Sequence, residues 1–157
     1  MLNKLAKDFP HREVIEGKIG EFEARFGLKI HRLDEEIQNQ KWFAGASDFR
    51  LVSGGRYRTI HANAAKLGDC SDFKLSWVMA HEYGHHVLFT AKAQGYVPEF
   101  GWIGYDDLVE ISTNPVMFSD SDDELFAESF AHFVMVAADE AYPVATMLVM
   151  SVLRYIS

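Results

Sequence analysis

His81-Glu82-Tyr83-Gly84-His85 sets two histidines four residues apart, with a glutamate directly after the first. On a helix, positions i and i+4 share one face, so both imidazoles can reach a single metal ion. The glutamate projects about 100° round the helix and can hold a water beside that metal. Such a pattern arises by chance in on the order of one in a hundred chains of this length, so its surroundings decide its weight. Asp72 is a good N-cap for a helix from Phe73 to about Gln94, and Gly95 supplies a stop. Val78, Met79, Val87, Leu88 and Phe89 make that helix apolar on several sides and therefore buried. Gly84 costs helix stability unless something needs close approach there. These three features favour a metal site over an exposed helix carrying two ordinary histidines.

A catalytic zinc site needs three protein ligands and a fourth position open to water. The extended pattern with a third histidine shortly after the motif is absent, since Val87 to Gln94 contains none. The third ligand must come from farther on. Glu124-Leu125-Phe126-Ala127-Glu128-Ser129-Phe130-Ala131-His132 is the best source. On a helical wheel Glu124, Ala127, Glu128 and Ala131 form one stripe, and Phe126, Phe130, Phe133, Val134 and Ala137 another that points to the core. The alanines beside the acids leave room for a second helix. An amphipathic helix also sets acids opposite phenylalanines, but it does so with lysines or arginines rather than alanines for neighbours. From the residues alone either glutamate can be the ligand. The other can accept a hydrogen bond from the free ring nitrogen of a ligand histidine. His132, two turns after Glu124, is a further candidate for that supporting role. His86 lies about 100° off the ligand face and reads as structural.

Around this pair of helices the chain is ordered helix, strands, helices. Pro10 and Gly27 bracket a helix over 11–26, with Val14, Ile15, Ile19, Phe22 and Phe26 at helical spacing. Leu28 to Leu33 alternates like a strand, and 34–43 fits a short helix. Strands over 49–52 and 57–61, separated by Ser53-Gly54-Gly55, read as a hairpin. The second of these strands precedes the motif helix and is a candidate edge for pairing with an extended peptide. Ser121 caps a helix from Asp122 to about Ala138, whose acidic first turn suits the helix dipole. Pro143 begins a last helix to Ile156, read as a buried terminal helix. This order fits an α+β fold, with helices on one side of a small sheet.

Composition bounds the function. A chain of 157 residues, 48% apolar and 24% charged, suits a single domain over 1–157. A net charge of −8 disfavours nucleic acid and anionic membranes as partners. Cys70 is the single cysteine, so no internal disulfide or cysteine cluster is expected. The first ten residues lack the apolar core of a signal peptide, which points to a cytoplasmic location.

The two motifs together resemble the gluzincin metallopeptidases. They are most similar to the lethal-factor-like group, with H-E-[FY]-G-H followed by E-F-F-A-E-A-F. Domains of this type also occur in phage-encoded and other bacterial proteins. A weaker resemblance is to the anti-repressor metallopeptidases of mobile elements. The likeness covers about residues 75–90 and 121–156 and is negligible before about residue 55. It implies a zincin-like fold, a small antiparallel or mixed sheet packed against the motif helix and the C-terminal glutamate helix. It also implies a Zn2+ cofactor, a protein or peptide substrate, and a virion-associated location if the chain is phage-encoded. It makes Glu124 the third ligand, Glu128 its supporting neighbour and Glu82 the general base. One position departs from the group. A tyrosine that assists at the oxyanion there is replaced by Met117, beside Phe118, and neither donates a hydrogen bond. Tyr105 is the leading substitute, with Tyr96 a second.

Overall fold

Capping residues set the helix boundaries of this protein. A computed structural model describes residues 5–30, 32–36, 45–52, 55–63, 67–103, 122–136, 140 and 142–156. The chain groups into two compact units, Met1–Tyr83 and Gly84–Ser157, with the boundary inside one continuous helix.

In the first unit, α1 spans Arg12–Phe26, with Ile15, Ile19 and Phe22 buried along one face. Gly27, at φ 70°, ends it as expected: its N–H donates to the Glu23 carbonyl at 2.9 Å. Two carboxylates of α1 tie the flanking chain to it. Glu16 accepts from the Leu5 N–H at 3.2 Å, and Glu23 from the Ile30 N–H at 3.1 Å.

Three strands follow: β1 (Arg32–Glu36), β2 (Gly45–Val52) and β3 (Gly55–Asn63), in the order β1-β3-β2. The hairpin forms where the glycines predict it, β2 running antiparallel to β3 from Gly45↔Ala62 to Val52↔Gly55. β1 lies parallel on the other side of β3, from Arg32↔Thr59 to Glu36↔Asn63. This corrects three expectations. The first strand starts at Arg32 rather than Leu28. The short helix expected over 34–43 begins inside β1, and its remainder lies outside the described residues. β3 is the central strand with both edges occupied, so it offers no free edge to a substrate.

The second long helix, α2, spans Asp72–Ala93. Its cap is Ser71, one residue before the expected Asp72: the Ser71 Oγ accepts the Lys74 N–H at 3.1 Å. Tyr83, fully buried, ends the part of α2 in the first unit. Its hydroxyl donates to the Leu28 carbonyl and lies 3.4 Å from the Phe22 carbonyl, and its ring packs against Phe22 at 5.4 Å. Burial, together with the nearby charge of Glu23, pushes this hydroxyl well above the usual tyrosine range.

In the second unit α2 continues to Ala93. Gly95, at φ 102°, closes it: the Tyr96 N–H donates to Ala91 and the Gly95 N–H to Lys92, both at 3.0 Å. The glutamate-bearing α3 spans Asp122–Met135, and its expected extension to 138 falls outside the described residues. α4 spans Pro143–Leu153 and packs on α3. The Tyr142 N–H donates to His132 Nε2 at 3.1 Å, and the two rings stack at 4.8 Å. Only one face of α4 is buried, through Ala145, Leu148, Val149 and Val152, so the terminal helix is half-buried rather than enclosed. No helix among the described residues is long and apolar enough to cross a membrane.

The expected fold class is also corrected. An α+β, zincin-like fold needs a sheet as one of its layers. The described core is instead helical. Among the residues whose burial is described, four helices and their flanking segments supply the buried apolar side chains apart from Ile60 and Ala62 of β3.

Gly84 is where α2 and α3 come closest. A Cβ there would stand 3.0 Å from both the Ala127 Cα and the Phe130 Cβ. Gly84→Ala is therefore expected to destabilise by about 1–3 kcal/mol through overpacking, against a helix-propensity gain of about 1 kcal/mol. At Gly17, on open α1 surface, the same change meets nothing within 4 Å and is expected to stabilise by about 0.5–1 kcal/mol. Urea unfolding of the two variants measures the contrast in sign.

His132 gives a pH signature. Burial lowers its pKa below the ordinary 6.5, with the Glu128 charge partly opposing. The folded state thus favours neutral imidazole, whose Nε2 accepts the Tyr142 N–H. Its contribution to stability is present above pH about 6.5 and is lost as pH falls below that value, because the unfolded chain binds the proton first. NMR titration of the metal-free chain should give His132 a midpoint below 6.5, and His132→Phe should flatten the stability profile between pH 7 and 5.

Candidate metal centre

The helical repeat of α2 places His81 and His85 one turn apart on one face. The contact at Gly84 brings α3 against this turn. Ala127 meets Gly84, so Glu124, one turn earlier on α3, falls beside His85. Its Oε1 lies 3.1 Å from His85 Nε2. One ligand atom from each of His81, His85 and Glu124 can be chosen so that all lie within 4.8 Å of one another. All three side chains are half-buried, reachable from solvent yet held by packed helices.

An exposed ion pair also spans the two helices. The Lys92 Nζ donates to Asp123 Oδ1 at 2.7 Å, linking the last turn of α2 to the residue before Glu124. Leu125, Phe126 and Ala127 are buried directly behind the glutamate, which limits how α3 can rotate. Asp122, Asp123 and Glu124 occupy the first turn of α3, where the helix dipole favours carboxylates.

The donor set is two imidazole nitrogens and one carboxylate oxygen. A separation of 3.1 Å is that of a charge-assisted hydrogen bond. It also approaches the ~3.3 Å between two ligands bound tetrahedrally at ~2.0–2.1 Å from one ion. These residues could therefore hold one divalent cation while leaving a coordination position for water.

The structure divides the two glutamates that the sequence left level. Glu124 joins the histidine pair. Glu128, one turn later, lies outside that group and acts electrostatically on His132. His132 commits its Nε2 to the Tyr142 N–H. Glu82 is buried, with 7% of its surface exposed, in the same turn as the half-buried histidines. His86 is buried, in keeping with a structural role. Tyr105, Met117 and Phe118 lie outside the described residues. Tyr96 packs edge-on against Tyr155 at 5.0 Å. His11 lies 3.5 Å from Asp72, Cys70 is half-buried, and Trp77 packs on Phe73 at 6.1 Å. The Lys92–Asp123 link was not foreseen from sequence. Its only signal there is a lysine at the end of one helix and an acid at the start of the other.

Comparison with protein-family models, with curated proteins and with solved structures gives no match. The resemblance to gluzincins therefore rests on the two motifs alone.

Equilibrium dialysis followed by elemental analysis is expected to find one divalent ion per chain. His81→Ala, His85→Ala and Glu124→Ala should each weaken binding by at least about tenfold, the lower end of what even outer partners of a metal site cost. Glu128→Gln should keep the full stoichiometry. Equal losses at positions 124 and 128 would contradict the division of roles.

Proposed function

We propose that this protein is a zinc-dependent metallopeptidase acting on a protein or peptide substrate. The observation that carries the reading is the convergence of His81, His85 and Glu124 on one point, with Glu82 in the same helical turn. Two imidazoles and a carboxylate are ligands that suit zinc, and three of them leave one position for water. Bound there, zinc supplies a water acidified to a pKa of about 7 and a Lewis acid for the scissile carbonyl.

In this reading the chain's own residues hold and move protons. Glu82 takes the proton of the attacking water and returns it to the leaving amine. Burial keeps bulk water from competing for its carboxylate. Glu128 and His132 support α3 behind the ligand glutamate, and Tyr105 is assigned to the oxyanion. The net charge of −8 argues against nucleic acid or an anionic membrane as the target. The location proposed is the cytoplasm, or the virion for a phage-encoded chain.

A second reading follows from Met117 and Phe118, which stand where the resembling group has its tyrosine. In it the protein is a virion or assembly component that uses the metal for stability. Glu82→Gln separates the two. The peptidase reading expects one zinc per chain in both forms and a drop in peptide-library cleavage of about 10²–10⁴ in the variant. Identical, negligible turnover with zinc bound would sink that reading. Unfolding on chelation, in that case, would support the structural one.

A further inference from the structure

The outer face of α4 is nearly as apolar as its buried one. Met147 is 60% exposed and Met150 40%, one turn of helix apart. Facing them, the segment after Gly95 presents Val97 and Trp102, and Tyr155 follows α4. Five of the six large exposed hydrophobic side chains among the described residues thus surround one groove of about 790 Å³. Clustering of this kind marks an interaction surface, whereas isolated exposed apolar residues need no explanation.

The groove contains one acid and one base, Glu99 and Arg154, and no other charged lining residue. Neither forms an ion pair among the described residues. We propose that this groove is the contact through which two copies of the chain associate about a two-fold axis. In a two-fold contact, whatever residue i meets, its partner residue meets i in return. An apolar surface bearing one acid and one base satisfies that condition. Glu99 of one copy pairs with Arg154 of the other, twice, and the protruding Met147 and Val97 of each enter the groove of the other. The groove is locally neutral within a chain of net charge −8, so it is a place where a second copy can approach without repulsion. A strongly acidic or basic partner would find no net charge to read there.

Eleven lining residues fall short of the roughly 20–30 per side of a standard stable interface, so the dimer is weak and concentration-dependent. Sedimentation velocity of the full chain from about 1 to about 300 μM should show a monomer–dimer equilibrium with Kd on the order of 10–100 μM. Met147→Glu should weaken it at least about tenfold, by placing a charge in the apolar contact. Glu99→Arg and Arg154→Glu should each weaken it about tenfold through facing like charges, and the double reversal should recover wild-type Kd within about threefold. If Met147→Glu fails to fold by circular dichroism, Val97→Glu on the facing wall carries the same test. A monomer across the whole range, a dimer indifferent to these apolar variants, or a double reversal without recovery would each overturn the proposal.

Discussion

The approach of α3 to α2 at Gly84 is the constraint on which the candidate centre depends. With no side chain at position 84, the Ala127 backbone and the Phe130 Cβ lie 3.0 Å from where a methyl group would stand. Helix axes separate by about 8–10 Å according to the side chains between them, so small residues at a crossing set the lower end of that range. A glutamate side chain is short. Only at such close range can one on α3 reach a histidine on α2 at 3.1 Å while both backbones remain regular helices. The helix-propensity cost of Gly84 is thus offset by the geometry it permits.

That constraint was legible in the sequence because it is written in residue size. A glycine between the two histidines and an alanine between the two glutamates are complementary signals, one on each helix. The identity of the ligand was not legible in the same way. Glu124 and Glu128 share a stripe, and a wheel assigns both the same direction. What separates them is the axial position of α3 along α2, set by Gly84 against Ala127 and accompanied by the exposed pair of Lys92 with Asp123. Both are contacts between residues about 30 or more positions apart, and no local pattern encodes them. The family resemblance pointed to Glu124; the packing gives a physical reason why that glutamate meets His85.

The same split between local and long-range information explains the fold. Gly27, Gly95 and Pro143 punctuate helices where their backbone preferences say they should, and the hairpin closes at Val52↔Gly55. Each is a decision made within a few residues. The α+β reading failed at the next level. Alternation identified strands, but not whether the sheet would be a full layer of the core, and the buried side chains described come largely from helices. β3 was taken for an edge from its order in the chain. The parallel pairing of β1 with β3 spans more than twenty residues and removes that edge. For α4, an apolar composition could be read as burial on all sides, whereas the structure buries one face and leaves two methionines outside.

Glu82 separates holding a metal from using one. Two histidines and a glutamate suffice to hold an ion, and a purely structural site gains nothing from a further carboxylate in the same turn. Glu82 is more buried than either histidine beside it. Within this helical turn there are shorter and cheaper choices for a position that only packs: Ala80 and Gly84 are both buried there without charge. A carboxylate at such a position, one residue from His81 and shielded from bulk water, stands where a water-activating base would be needed. This placement favours the proposed peptidase reading over the structural one, with Met117 standing where the resembling group has a tyrosine.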